Sequence, residues 1–82
     1  MFLLATYPSS HWVLKAEQEL RAALVVVELI PAPRQVRSQC GFCLLAEVED
    51  GGARLRASGA ESLWRVFEPE PGHYRRTYEP YP

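Results

Sequence analysis

An α+β sandwich, one antiparallel sheet with two helices on one face, is the fold this sequence predicts. Three observations carry the prediction. His11 to Leu24 places apolar residues at helical spacing, Val25 to Ile30 is a β-branched run closed by Pro31, and Gly41 to Val48 alternates as a strand does. Apolar residues make up 48% of the 82, an ordinary globular fraction, so the chain is expected to fold as a single domain over residues 1–82.

Phe2 to Tyr7 is short and apolar and reads as a first strand, broken by Pro8-Ser9-Ser10. Either serine can cap the helix that follows. In that helix Val13, Ala16, Leu20, Ala23 and Leu24 share a face, while Lys15, Glu19 and Arg21 fall elsewhere. Val25 to Ile30 is the second strand and Gly41 to Val48 the third, with Phe42, Leu44, Ala46 and Val48 on one face and Cys43, Leu45 and Glu47 on the other.

Asp50-Gly51-Gly52 is a turn signal, and Ala53, Leu55 and Ala57 alternate with Arg54 and Arg56, which predicts a hairpin extending the sheet. Ser58-Gly59-Ala60-Glu61 has the form of a capping box, which predicts a second helix carrying Leu63, Val66 and Phe67 inward. A last strand is expected from His73 to Tyr78, followed by a frayed tail at Pro80-Tyr81-Pro82. The compact arrangement for strand, helix, strand, strand, helix, strand is the ferredoxin-like split βαβ sandwich (β-α-β-β-α-β). A right-handed crossover through the first helix leaves the third strand room between the first two.

Nine basic and ten acidic residues give a net charge of -1. Without a concentrated basic patch in the sequence, neither nucleic acid nor an anionic membrane surface is expected as a main partner. No apolar run approaches a membrane span, and the first residues lack the basic leader of a signal peptide, so a cytoplasmic protein is expected. In that compartment two cysteines point to reactive, metal-binding or merely buried thiols more than to a structural disulfide. A chain this short has little apolar area, which leaves burial of an open sheet face in a homodimer as one expectation.

The chemistry concentrates between the second and third strands. Cys40 follows a polar loop, with Arg34 and Arg37 six and three residues before it. The predicted topology brings the start of the third strand to the same edge as the first helix's N-terminus, with Ser9, Ser10 and His11. Guanidinium charge and helix-end amides around a thiol favour its thiolate, the nucleophile in attack on disulfides, persulfides and acyl groups. Gly41 leaves room for a partner to approach the sulfur, and His11 can orient the thiol or exchange a proton with it. The plainer alternatives are a Cys40 that merely packs and a His11 that merely starts the helix.

Cys40-Gly41-Phe42-Cys43 has redox spacing, but that chemistry places the pair on a turn entering a helix. A strand follows here, and residues three apart on a strand face opposite sides, so Cys43 is expected away from Cys40. A disulfide-forming redox module, or a ligand-binding or dimerisation module with no thiol chemistry, remains the alternative reading. The second ligand pair that would make a metal site specific is missing, so neither a metal nor a cofactor is expected. Arg54, Arg56, Arg75 and Arg76 read most simply as solvated strand faces.

Four short motifs fall in order: Thr6-Tyr7-Pro8-Ser9-Ser10-His11, Leu14-Lys15-Ala16-Glu17, Glu28-Leu29-Ile30-Pro31-Ala32-Pro33-Arg34 and Ser38-Gln39-Cys40-Gly41. Together they resemble the small selenium/sulfur carrier protein-like family over about residues 2–48. The resemblance implies a carrier rather than an autonomous enzyme. Cys40 would bear sulfur or selenium, Arg34, Ser38 and Gly41 would shape its loop, and His11 falls where the family often has histidine. It also implies a desulfurase-like donor enzyme and an acceptor protein as partners. The chain departs from the pattern at Cys43, at Leu24-Val25 where a glycine is expected, across Glu49 to Ser58, which looks like an insertion, and in the proline-rich end after Phe67.

Overall fold

The computed structural model describes residues 1–72 and 74–82. In chain order the elements are β1 (Phe2–Thr6), α1 (Ser10–Ala22), β2 (Val27–Pro31), β3 (Phe42–Glu47), α2 (Ala53–Ala57), β4 (Ser62–Phe67) and β5 (Thr77–Tyr81). The strands form one five-stranded sheet in the order β2-β3-β1-β4-β5, every neighbouring pair antiparallel. The α+β class and the position of β3 between β1 and β2 agree with the sequence reading. The six-element ferredoxin-like order does not, because a fifth strand lengthens the sheet beyond β4.

Three elements of the second half differ from expectation, each for a physical reason. Residues 53–57 are a helix and not the far arm of a hairpin. The Asp50 carboxylate accepts from the amides of Gly52 (2.9 Å) and Arg54 (3.1 Å), so the turn caps a helix, and Ala-Arg-Leu-Arg-Ala favours one. Ser58, read as an N-cap, instead follows the end of α2, where its hydroxyl donates to the Leu55 carbonyl at 2.6 Å. The predicted second helix is β4. Leu63 and Val66 are both buried three residues apart because they face opposite sides of a sheet covered on both faces, and that imitates a helical period.

The last strand runs later than predicted and takes in Pro80 and Tyr81. Proline is tolerated there because β5 is an edge strand. Tyr81 pairs with Leu63 and Tyr78 with Val66, so the tail called frayed repeats the two-sided spacing of β4. His73, where the last strand was expected to begin, lies outside the described residues.

Two apolar clusters hold the sheet from either side. In the first, Val13, Ala16 and Leu20 of α1 and Leu55 of α2 pack on Leu3, Ala5, Leu44, Ala46 and Leu63, so both helices cover one face. In the second, Leu4, Cys43, Leu45 and Val66 are buried under Val36, which comes from the β2–β3 loop and is 3% exposed. That loop does for the second face what the helices do for the first. Among the described residues no helix is long and apolar enough to cross a membrane.

At its C-terminal end α1 closes with the αL geometry that glycine usually supplies. Leu24 takes φ 62, the Leu24 amide donates to Arg21 and the Val25 amide to Leu20, which is the Schellman pairing. The family glycine missing at Leu24-Val25 is therefore missing from the sequence and not from the backbone conformation.

Candidate functional site

Proline ends β2 at Pro31, and the chain leaves the ladder there. The loop that follows is tied at its base, where the Ala32 amide donates to the Gly41 carbonyl at 2.9 Å. Its middle is tied by the turn from Pro33 to Val36 (3.0 Å) and by burial of the Val36 side chain in the second cluster. At its far end Gly41 has φ 76, and a Cβ built there would meet nothing within 4 Å. Backbone conformation, more than lack of space, is the reason for glycine at that position.

Cys40 stands at this fixed end, partly buried, with its thiol free and its side chain against the rim of the first cluster. The last β1–β3 pair is Thr6 with Cys43. One residue beyond it, where β3 still pairs with β2 but has no β1 partner, the Phe42 carbonyl receives side chains of the loop. Cys40 Sγ donates to that carbonyl at 3.1 Å, Ser38 Oγ does so at 3.1 Å, and Ser38 Oγ lies 3.5 Å from Cys40 Sγ. The structure thus assembles Ser38, Cys40, Gly41 and Phe42 into one small cluster. The Phe42 carbonyl is the part that sequence reasoning missed, since a main-chain atom leaves no mark in a motif.

Cys43 is fully buried, in the second cluster, one strand position inside the sheet edge. Burial pushes its thiol up to about 11, against a smaller opposing effect of the Ser38 hydroxyl and with a small upward contribution from Cys40. The two sulfurs therefore sit against different clusters, although both feel Ser38.

The other predicted site residues are placed as follows. The topology does bring the N-terminus of α1 and the start of β3 to one end of the sheet, since Thr6 pairs with Cys43 and α1 begins four residues later. Ser9 caps α1, accepting from the Trp12 amide at 3.4 Å, and Ser10 is its exposed first residue. His11 is exposed and set edge-on to the Trp12 ring, with centroids 5.6 Å apart. Arg34 and Arg37 are exposed on the loop. Among the described residues, no hydrogen bond joins His11, Ser9, Ser10, Arg34 or Arg37 to Cys40. Arg34 instead borders a cleft shared with Tyr74, Arg75, Arg76 and Tyr78.

Tyr7, the first residue beyond β1, is buried in the first cluster and hydrogen-bonds its hydroxyl to Ser58 Oγ at 2.8 Å. Burial raises its pKa, the Ser58 bond opposes that, and Glu19 adds to it. The bond ties the strand end beside the thiol loop to the end of α2.

A family model described as "Putative Se/S carrier protein-like" matches residues 2–57. The match covers more than half of the chain, which belongs to this family. It takes in β1 through α2, including Cys40 and most of the segment Glu49 to Ser58 that the sequence reading set apart as an insertion. No curated protein and no solved structure matches the chain.

Proposed function

We propose that this member of the selenium/sulfur carrier protein-like family carries sulfur or selenium on Cys40 between a donor enzyme and an acceptor protein. One observation carries the reading. Within the family-matched residues, Cys40 is the free thiol that is not fully buried, held at the end of a loop pinned at its base and its middle.

The transfer balances without an external oxidant. The Cys40 thiolate attacks the terminal sulfur of a persulfide on the donor's cysteine. A sulfur–sulfur bond forms to Cys40 as the donor's own bond breaks, and the donor cysteine leaves with the electron pair and takes up the proton Cys40 has lost. An acceptor thiol repeats the step on the Cys40 persulfide, and a selenium atom follows the same route. The Ser38 hydroxyl can turn from the Phe42 carbonyl toward the anionic sulfur, since both lie within its reach. His11, Arg34 and Arg37, being exposed, would meet the incoming partner.

A disulfide module using Cys40 and Cys43 has less support. Its second thiol is buried and stays protonated at neutral pH, and the thiol form is the poor nucleophile.

The test is intact-mass measurement after incubation with a cysteine desulfurase and cysteine or selenocysteine. The expected result is a gain of one sulfur or selenium atom, reversed by dithiothreitol and absent from Cys40→Ala. An unmodified wild-type chain, or an equal adduct on Cys40→Ala, overturns the reading.

A further inference from the structure

We propose that the cleft between the β2–β3 loop and the β4–β5 connection binds a phosphate group through Arg34, Arg75 and Arg76. The cleft is open and has a volume of about 510 Å³. Its two walls come from distant parts of the chain but rest on the same foundation. Val36 anchors the loop wall in the second cluster, and Tyr78, paired with Val66 of β4, packs against the same cluster. Arg34 is therefore presented by a pinned loop and Arg76 from the position just before β5, although their side chains reach solvent.

Charge is what singles the cleft out. Three guanidinium groups border it, and the carboxylates of Glu68, Glu70 and Glu79 line the adjoining pocket that shares Tyr74 and Arg75, in a chain whose net charge is -1. Among the described residues neither Arg34 nor Arg75 makes an ion pair. Arg76 is held through Nε to Glu68 at 3.3 Å, which fixes the side chain and leaves its two terminal nitrogens available. Arg75 and Arg76, expected from the sequence on the solvated face of a strand, precede β5 and line the cleft with Arg34. Glu68 answers part of this charge through Arg76, which leaves the guanidinium groups of Arg34 and Arg75. A phosphate dianion, with three terminal oxygens, suits several guanidinium forks at once. Tyr74, which is 96% exposed, and Tyr78 also line the cleft, so free phosphate and the phosphate of a nucleotide share the chemistry the cleft offers, with a base able to stack on a tyrosine ring.

The site does not include Cys40, so phosphate binding and sulfur loading can fail independently. The test is titration of the full chain, in phosphate-free buffer at low salt, with inorganic phosphate and separately with adenosine monophosphate, followed by calorimetry and amide NMR. Saturable binding is expected, weakened about tenfold in Arg34→Gln and in Arg75→Gln, as loss of a charge-assisted pair implies. Arg54→Gln, on α2 and outside the cleft, should bind as the wild type does. Tighter binding of the nucleotide shows that the tyrosines take part, and equal affinity shows that phosphate alone is read. Amide spectra of the variants confirm that they are folded, and partial recovery in Arg34→Lys separates loss of charge from loss of shape. Absence of saturation overturns the proposal, as does an Arg54→Gln variant as weak as Arg34→Gln.

Discussion

Ser38 Oγ lies 3.5 Å from Cys40 Sγ, and both atoms approach one acceptor, the Phe42 carbonyl, at 3.1 Å. The carbonyl can hold the resting thiol while the hydroxyl is positioned for the anion that forms when the proton leaves. Ser38→Ala removes that donor and leaves the loop's anchors at Val36 and Ala32 intact. Iodoacetamide alkylation of Cys40 at neutral pH should slow about fivefold, the equivalent of one ordinary hydrogen bond. An unchanged rate would show that the hydroxyl serves the loop alone.

The first half of the chain was legible because each stretch there has one dominant period and a clear stop. Val13, Ala16 and Leu20 face one cluster, Pro31 ends β2, and β3 alternates. The second half misled because Leu63 and Val66 are buried on opposite faces, and sequence spacing cannot tell that from one helical stripe. Asp50-Gly51-Gly52 was ambiguous for a different reason, since the same residues turn a hairpin or cap a helix according to which amides the carboxylate finds. In the site, the order Ser38, Cys40, Gly41 was legible. Val36 carries its own signal, one β-branched residue among polar neighbours, and it is the one that pins the loop.

Cys43 should make the fold sensitive to alkali. Its pKa rises from an ordinary 9.0 to about 11 on folding, so the folded state keeps its proton where the unfolded chain has lost it. Stability is therefore unaffected by this group below pH 9 and declines between about pH 9 and 11. The loss is on the order of 2 kcal/mol. Tyr7, also raised by burial, adds a decline of the same sign at the alkaline end. Urea midpoints measured from pH 8 to 11 should fall less steeply in Cys43→Ala than in the wild type. Disulfide-exchange reagents should titrate one thiol in the native chain and two in urea, and parallel pH curves for the two proteins would contradict the assignment.

Gly51 and Gly52 both take positive φ, 69 and 88, but only one is hemmed in. A Cβ on Gly52 would come within 2.9 Å of Leu3 Cδ1 and 3.0 Å of Leu63 Cδ1, both in the first cluster, whereas one on Gly51 would meet only the Tyr81 hydroxyl at 3.8 Å. Gly51→Ala should therefore cost about 1 kcal/mol, the αL penalty alone. Gly52→Ala should cost about 1–2 kcal/mol more for displacing two packed leucines. Equal losses in urea unfolding would mean that the leucines yield freely.

Leu24 is the position where the chain should be easiest to improve. It holds φ 62 with a side chain 90% exposed, so it bears the αL penalty of roughly 1–2 kcal/mol without packing in return. Leu24→Gly removes the penalty, keeps both Schellman amide bonds, and loses part of the gain to the freer unfolded chain, by about 0.4–1 kcal/mol. The net stabilisation of about 0.5–1 kcal/mol should raise the Tm by about 2–8 °C in a domain of this size. Leu24→Ala retains the Cβ and therefore the strain, so it should gain nothing. A glycine variant melting at or below the wild-type temperature would mean that Leu24 finds contacts in solution, and in that case the wild-type melting point would depend on protein concentration, as a homodimer across that face requires.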